Sequence, residues 1–542
     1  MRPILCSLCL LLTISAAFAQ TDRGTITGTI RDPTGAMIGG TAVTAKNTQS
    51  GAEYQAASTA TGNFTLALLP AGTYELTATM TGFKKYVRPG VIVSVAQVVR
   101  IDVALEVGQL SEVITVEAES PLLKTESGEL SHNVSYDRAD SIPLLSIGGA
   151  AGFGNIRNPL QVITLLPGAQ FANDTTLRIN GMPSSSQTIR IEGQDATSGM
   201  WREVNQTNQS GLDAIQEVSI QTSNFAAEYG QAGGGYINYT MKSGANHIHG
   251  SAYDYNVNEA YNAGTPYTND GTGAHIQNRQ RRNDYGFTFG GPVYIPKVYD
   301  GRDKTFFFFT FEQFRETLSY IDGASFLTVP TAAYMQGDFS AALGTKPTPL
   351  TVGGKAVTDP LGRTLYQNEI FNPFNTSPGP GGTTVRNPFM GCDGLHMNVI
   401  CTTPGNANYA PFDPVAAKMQ SLLPQPRGVN AANLTNNFAV PAYSNFNHRT
   451  IPTAKIDYNL SPKVKLSGFF SENIATSPGN TGTQNYVWSG VAPTNNHSYT
   501  SRISVDVTLR PTLLFHAGVG LMYTTTPGQF KTYDQSQLGF TN

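Results

Sequence analysis

Leu212–Tyr255 reads LDAIQEVSIQTSNFAAEYGQAGGGYINYTMKSGANHIHGSAYDY, and the character of the chain changes across it. Ile215 to Thr222 alternates apolar and polar residues, the pattern of a half-buried strand. Phe225-Ala-Ala-Glu-Tyr229 follows, then Gly233-Gly234-Gly235, where the backbone has access to conformations closed to other residues. A second short strand (Tyr236, Ile237, Tyr239, Met241) leads into the turn Lys242-Ser-Gly244, and a new alternation starts at His247. Segments before the turn are short and compact. Those after it are long, alternating and rich in Phe and Tyr, with large Gly/Asn/Pro-rich loops between them. The expectation is a small α/β domain handing over to an antiparallel β-barrel.

Composition supports a mainly β chain. Only 13% of the 542 residues are charged, while Gly (55) and Pro (32) are numerous, which suits strands with many turns rather than coiled coil or a helical enzyme. A net charge of −3 offers nothing to a polyanion, so no nucleic-acid partner is expected. Past the N-terminus no apolar run approaches the roughly 20 residues that a membrane-spanning helix needs. Any membrane role therefore requires a barrel.

The first residues, MRPILCSLCLLLTISAAFAQ, place Arg2 before an apolar Ile4–Ile14 core and Ala17-Phe-Ala19 at the end. This is the layout of a secretory signal, expected over residues 1–19 and excluded from the fold. Cys6 and Cys9 leave with it. Cys392 and Cys401 remain, in an oxidising compartment where such a pair closes a disulfide; a zinc site would want more ligands nearby.

From residue 20 to 108, short alternating runs recur: Ile26/Gly28/Ile30, Val43/Ala45, Phe64/Leu66/Leu68, Tyr74/Leu76/Ala78/Met80, Val91/Val93/Val95 and Val99/Ile101/Val103/Leu105. Turn residues separate them, as in Asp32-Pro-Thr-Gly35 and Leu69-Pro-Ala-Gly72, which predicts an antiparallel β-sandwich. Residues 109–135 form a tether and 136–245 the small α/β domain, with Leu160–Leu166 at helical spacing before Pro167-Gly168. From residue 246 to 542 about seven strands have the length of tilted membrane strands. They are His249–Val257, Asn283–Gly291, Lys304–Tyr320, His448–Asn459, Lys463–Ser471, Asn496–Leu509 and Thr512–Thr524. Short connections alternate with long ones, as the inner turns and outer loops of such barrels do. In Thr305-Phe-Phe-Phe-Phe-Thr-Phe311 alternate rings would face lipid and the rest pack inward. Arg279, Arg281 and Arg282 read as a solvated loop cluster, and His247/His249 as a rim or structural pair, since zinc needs more ligands.

Several stretches carry a family resemblance. AIQEVSIQTSNFAAEYGQAGGGYIN followed by TMKSGANHIHGSA resembles the plug-to-barrel junction of TonB-dependent outer-membrane receptors of the Oar-like group. The order Ile142-Pro-Leu-Leu145, Asn155-Ile-Arg-Asn158, Pro159–Gly168, Ile179-Asn-Gly-Met-Pro183 and Ile189-Arg-Ile-Glu-Gly-Gln-Asp195 is similar to their plug. Val329-Pro-Thr-Ala332, Gly337-Asp-Phe339 and Ala454–Pro462 are similar to their barrel. TGNFTLALLPAGTYELTATMTGFKKY resembles the carboxypeptidase regulatory-like domain, whose fold is shared with starch-binding modules; no zinc pair accompanies it, and Tyr54, Tyr74 and Tyr86 are equally read as packing residues or a sugar platform.

The resemblance implies a receptor or transporter of the cell outer membrane, with sandwich and plug on the periplasmic side. It also implies a TonB-type energy-transducing partner that pulls on a TonB box at Ile114, Thr115, Val116, Glu117 and Ala118. A last sandwich strand is the other reading of those five residues. Outer-membrane lipid is the second partner. The extracellular ligand is left open among siderophore, glycan, peptide and protein. The alternative function is a surface binding or adhesion protein anchored by the barrel. No cofactor, metal or catalytic residue is expected, because GxSxG, P-loop, HExxH and paired-carboxylate patterns are lacking. Transporters of this kind close with about 22 strands, and seven leave two unpaired edges. Leu538–Asn542 also lacks the family's terminal aromatic strand, so a C-terminally truncated receptor is expected.

Overall fold

The computed structural model describes residues 23–109, 111–116, 126, 128–141, 157, 163, 166–172, 176–183, 186–197, 210–225, 229, 232–261, 279–322, 325–479, 482–483, 493–510, 513–527 and 536. The expected signal (residues 1–19), Glu117, Ala118, Ile142–Leu145 and most of the Leu160–Leu166 piece lie outside them. The chain forms two compact units. One comprises residues 1–317, 446–477 and 494–527, and the other residues 318–445, 478–493 and 528–542.

The first unit begins with the sandwich. One sheet pairs Gly24–Arg31 with Asn63–Leu69 and with the short strands Val98–Arg100 and Val103–Ala104. The other has the order Glu53–Ala57, Ala42–Asn47, Gly72–Thr79, Lys85–Val93, Val113–Thr115. Alternation sets the core: Tyr74, Leu76 and Ala78 point inward along one strand and meet Ile26, Ile30, Phe64 and Ile101 from the other sheet, all buried. Tyr74 and Tyr86 are core residues and Tyr54 is packed against that core, so these three rings form no exposed platform. Gly28 shows how closely neighbouring chains of one sheet approach, because a Cβ there would lie 1.8 Å from the Ile101 carbonyl oxygen.

A five-stranded mixed sheet follows, in the order Leu130–Ser135, Ile215–Ser223, Gly235–Met241, Gln187–Ile191, Gln194–Asp195. Gly235–Met241 runs antiparallel to Ile215–Ser223 and parallel to Gln187–Ile191. Two of the three glycines are in close contact, since a Cβ on Gly234 would lie 2.4 Å from the Ser186 Oγ. The amides of Gly233 and Gly234 both donate to the Ser186 carbonyl, and a Cβ on Gly235 would meet Ile179 at 2.6 Å.

After the turn, seven long strands pair in chain order in one sheet: His249–Asn258, Arg279–Pro292, Thr305–Tyr320, Tyr443–Ser461, Val464–Ser477, Thr494–Arg510 and Leu513–Thr525. All seven expected strands are present, several extended by a few residues. The sheet is open, with the first and last strands at its two edges.

Its alternation is the reverse of the sandwich's. On the third strand Phe306, Phe308, Thr310, Glu312, Phe314 and Glu316 are buried, and the intervening side chains are more exposed. Other inward positions are polar: Asp284, Thr288, Thr453, Lys455, Ser471, Asn473, Ser498 and Thr500 are all buried. Outward positions are apolar: Ile456, Phe470, Ile503, Val519 and Leu521 are exposed. Phe287 and Phe289 join Phe307, Phe309 and Phe311 in an aromatic band with centroid separations of 5.4–6.0 Å. A face that exposes this much hydrocarbon, over an inner face of hydroxyls and charges, is arranged for a lipid solvent. Among the described residues no helix is long and apolar enough to cross a membrane.

The largest part of the second unit, residues 318–445, is the long connection between the third and fourth strands. It holds its own hairpins, Thr351–Val352 with Lys355–Ala356 and Phe371–Pro378 with Thr384–Pro388, and a helix at Pro414–Ser421 capped by Asp413. Sequence patterning predicts a polar loop here, because no run in it is long enough to announce a strand. Thr331 caps the Ala332–Met335 turn through the Tyr334 amide, which accounts for the Val329–Ala332 motif. Buried Asn437 binds both the amide and the carbonyl of Val329, at 2.8 and 2.9 Å. Cys392 and Cys401 are joined as a disulfide.

Candidate functional site between the central sheet and the inner wall

The site is built around Arg157, the arginine of Asn155-Ile-Arg-Asn158. Its guanidinium donates to Asp213 at 2.7 Å and to Asp140, and its backbone amide donates to Asp284 at 3.1 Å. Asp213 lies in the single turn Leu212–Ala214 that opens the Ile215–Ser223 strand, and Asp140 ends the short helix Tyr136–Asp140. The wall contributes Tyr253 and Tyr255 from the first strand, Asp284 from the second and Glu312 from the third. The Arg157 guanidinium lies 3.9 Å from the Tyr255 ring centroid and 5.4 Å from that of Tyr253. Tyr253 donates to Glu312 at 3.1 Å, and Tyr136 to Asp213 at 2.5 Å. Burial opposes the guanidinium's charge, but Asp213 and the surrounding oxygens outweigh it and hold the group above its ordinary pKa. One permanent cation therefore gathers carboxylates from two separate elements.

Lys242, at the turn into the wall, sits 3.1 Å from the Tyr136 ring centroid. Burial pushes its ammonium down to about 8, against partial compensation from Asp213.

A second contact lies at the Glu192-Gly193 turn between Gln187–Ile191 and Gln194–Asp195. Both residues have positive φ, 50° and 74°, as a two-residue hairpin of this type demands. The side chain of Glu192 accepts from the Met241 amide at 2.7 Å and from Lys455 of the fourth wall strand at 2.8 Å. Gly193 packs so closely on Arg502 of the sixth strand that a Cβ would lie 2.4 Å from it. Phe469 of the fifth strand joins the core of the central sheet.

The sandwich touches the wall at its short-turn end. Lys465 donates to the Glu53 carbonyl at 2.9 Å and lies over the Tyr54 ring, the Asn246 amide donates to the Gln49 carbonyl, and Arg23 approaches Asp506.

Several residues singled out by sequence pattern fall differently from expectation. Arg282 is fully buried and paired with Glu316, which corrects the solvated-cluster reading; it shares the inward parity of Asp284. Arg281 does lie outward, on Glu259. His249 stacks near Phe308, and among the described residues no group of three or more His, Cys, Asp or Glu could hold a metal ion. Val113–Thr115 is the edge strand of the sandwich, parallel to Lys85–Val87. It takes in Ile114 and Thr115, with Val116 next to it. Sequence reasoning did not find Arg157, Asp213, Glu192 or Lys455 as site residues. Each stands in a quoted motif, but its partner is remote in the chain.

Comparison with known proteins follows this architecture. The carboxypeptidase regulatory-like domain family matches residues 25–106, and the family described as "Outer membrane beta barrel domain" matches residues 240–542. The chain is 30% identical over 305 residues to the TonB-dependent transporter Oar of Myxococcus xanthus, an alignment covering 53% of this chain and 27% of that protein. It thus spans about a quarter of the length of that relative. A variant of the ferric enterobactin receptor PfeA of Pseudomonas aeruginosa, solved with enterobactin, matches with TM-score 0.34 and 11% identity over 73% of this chain and 41% of that one. The outer membrane transporter YddB of Escherichia coli matches with TM-score 0.40 and 10% identity over 72% and 38%. With its lipid-suited wall and a family match across more than half of its length, the chain belongs to the outer membrane beta barrel domain family and is a protein of the outer membrane.

Proposed function

We propose that this protein is a TonB-dependent receptor that takes up a ligand through a plugged barrel, with residues 136–245 as the plug, to whose sheet the end of the tether, Leu130–Ser135, adds an edge strand. The observation that carries the reading is the way the central sheet is held. It meets the wall through ion pairs and tyrosine hydrogen bonds at Arg157 and Glu192, with Phe469 as an apolar contact. Polar contacts of this kind have steep distance dependence and can be rehydrated on separation, so such a plug can be displaced without exposing a large hydrocarbon face.

In this reading the short-turn end of the wall faces the periplasm, and the sandwich lies there with the box at Ile114–Ala118. A TonB-type protein engages the box, and tension passes through the tether into Leu130–Ser135, the edge strand of the plug sheet. The ligand is captured on the side of the long loops. The likeness to the Oar transporter supports this role over an enzymatic one.

Deleting Ile114–Ala118 tests the reading in cells, with ferric siderophores, oligosaccharides and peptides as labelled probes. Loss of protonophore-sensitive accumulation with retained surface binding is the expected result. Accumulation that survives the deletion would remove the TonB mechanism. Binding without any energised accumulation in the unmodified protein would leave the anchored adhesion reading, to which the folded 318–445 unit lends its surface.

A further inference from the structure

The sandwich rests on the short-turn end of the wall through one loop and a few flanking residues. The loop, Asn47–Gly51, is shaped by the Asn47 side chain, which accepts from the Gln49 and Ser50 amides at 3.0 and 2.9 Å. It meets Asn246 and Asp303, which bond each other at 2.7 and 2.8 Å, so closely that a Cβ on Gly51 would lie 2.6 Å from Asp303. Beside the loop, Lys465 holds the Glu53 carbonyl and the Tyr54 ring, and Arg23 stands 3.8 Å from Asp506. These contacts border a small polar cavity of about 100 Å³. Arg23, Tyr54 and Pro70 of the sandwich line it together with Met241, Lys455 and Asp457. Lys455 is the buried residue that clasps Glu192 at 2.8 Å. The clasp on the central sheet and the seat of the sandwich therefore share one cavity.

We propose that the sandwich is a latch on the plug. Docked, it keeps bulk water from the Lys455 side of the clasp, and its departure from the wall is the first step of plug release. The strength of an ion pair depends on the dielectric around it, so opening this cavity to solvent weakens the clasp without touching Glu192 or Lys455. The docking contacts suit a reversible join. They are few and polar, and two of them end on the backbone carbonyls of Gln49 and Glu53, the composition of an interface between domains that move. The sandwich core is drawn only from residues 26–105 and travels intact, whereas Phe469 of the wall belongs to the core of the central sheet. The sandwich therefore leaves at lower cost than the plug. This inference rests on the plug reading of residues 136–245 and gives release two stages, the first controlled by Arg23, Lys465 and the Asn47–Gly51 loop.

The test uses the full chain in detergent and reads hydrogen exchange at the Met241 amide, which donates to Glu192 at 2.7 Å. Gln49→Cys/Asn246→Cys puts a thiol on each side of the seat, where the Asn246 amide donates to the Gln49 carbonyl at 3.2 Å, and oxidation then holds the sandwich down. In this background Arg23→Gln/Lys465→Gln removes both cations of the seat and leaves the clasp unaltered. With the thiols reduced, the variant lacking the cations should form its disulfide at least about tenfold more slowly than its parent and exchange Met241 at least about tenfold faster. Once it is oxidised, the parent's protection should return. Slow disulfide formation with unchanged Met241 exchange would overturn the latch, since the sandwich would then leave without loosening the clasp. Fast exchange that survives oxidation would place the effect in the wall itself and overturn it equally. Disulfide formation at the parent's rate would show that these cations do not hold the sandwich, and the latch would fall with its seat. No outcome involves uptake or a TonB-type protein, so the plug reading is decided separately, by the deletion of Ile114–Ala118.

Discussion

The sandwich and the seven-stranded wall use the same period-two alternation with opposite sign. In Gly72–Thr79 the inward residues are Tyr74, Leu76 and Ala78; in Thr494–Arg510 they include Ser498, Thr500 and Ser504, while Ile503 stands outward. The backbone rule is common to both, and the solvent decides which face carries hydrocarbon. Water outside requires an apolar interior. Lipid outside permits an interior that is polar, and a polar interior can grip a second domain by its charges.

Four substitutions test that contrast. Arg157→Met strips the ion-pair partner from buried Asp213 and should cost about 3–5 kcal/mol, seen as a lowered urea midpoint for the detergent-solubilised chain. A loss below about 1 kcal/mol would mean the inner polar contacts are incidental. Leu76→Ala opens a cavity in the sandwich core and should cost about 3 kcal/mol, in a transition that leaves the wall's resistance to heating in SDS unchanged. Val519 and Ile92 make the sharpest pair, because both are exposed apolar residues, at 74% and 67%. Val519→Arg should lower refolding into lipid vesicles by about 2–4 kcal/mol, whereas Ile92→Arg should change stability by less than about 0.5 kcal/mol. Equal effects would erase the distinction between lipid-facing and water-facing strands.

A pH-dependent effect concerns Lys242. Its pKa falls from 10.5 to about 8 in the fold because burial disfavours the ammonium. The folded state therefore releases this proton before the unfolded chain does, and stability rises with pH between about 8 and 10.5. Lys242→Met should flatten that rise by about 1 kcal/mol, after allowance for solvent screening, in melting curves taken from pH 7 to 10.5.

How much could be read from the sequence follows from the same physics. Six sandwich runs and seven wall strands announced themselves through periodicity, because each has two chemically distinct faces. Glu53–Ala57 did not, since its burial is partial along most of its length and EYQAA lacks a clean alternation. The Lys85–Val93 strand is legible only from Val91 onward for a similar reason: its earlier half mixes Lys85, Arg88 and Pro89 with apolar residues. Val113-Ile-Thr115 reads as an extended run with two possible fates, and three residues carry no information on which strand they join. The site was the least legible part. Glu192 and Lys455 are 263 positions apart, and nothing local distinguishes a lysine that points into a polar interior from one in water. Arg282 illustrates the same limit, since a run of arginines resembles a solvated loop until the wall's parity is known.

The Tyr320–Tyr443 stack has a further consequence. The two rings lie 4.5 Å apart between centroids, so more than a hundred residues leave and rejoin the chain at nearly one point. A segment whose ends coincide can be lengthened, shortened or exchanged at little thermodynamic cost, since loop closure depends only weakly on length. Hairpins, capped helices and a disulfide of its own let such a segment keep its shape when transplanted. Recombination between relatives can therefore replace this cassette whole, without rewriting the strands that precede and follow it in the chain.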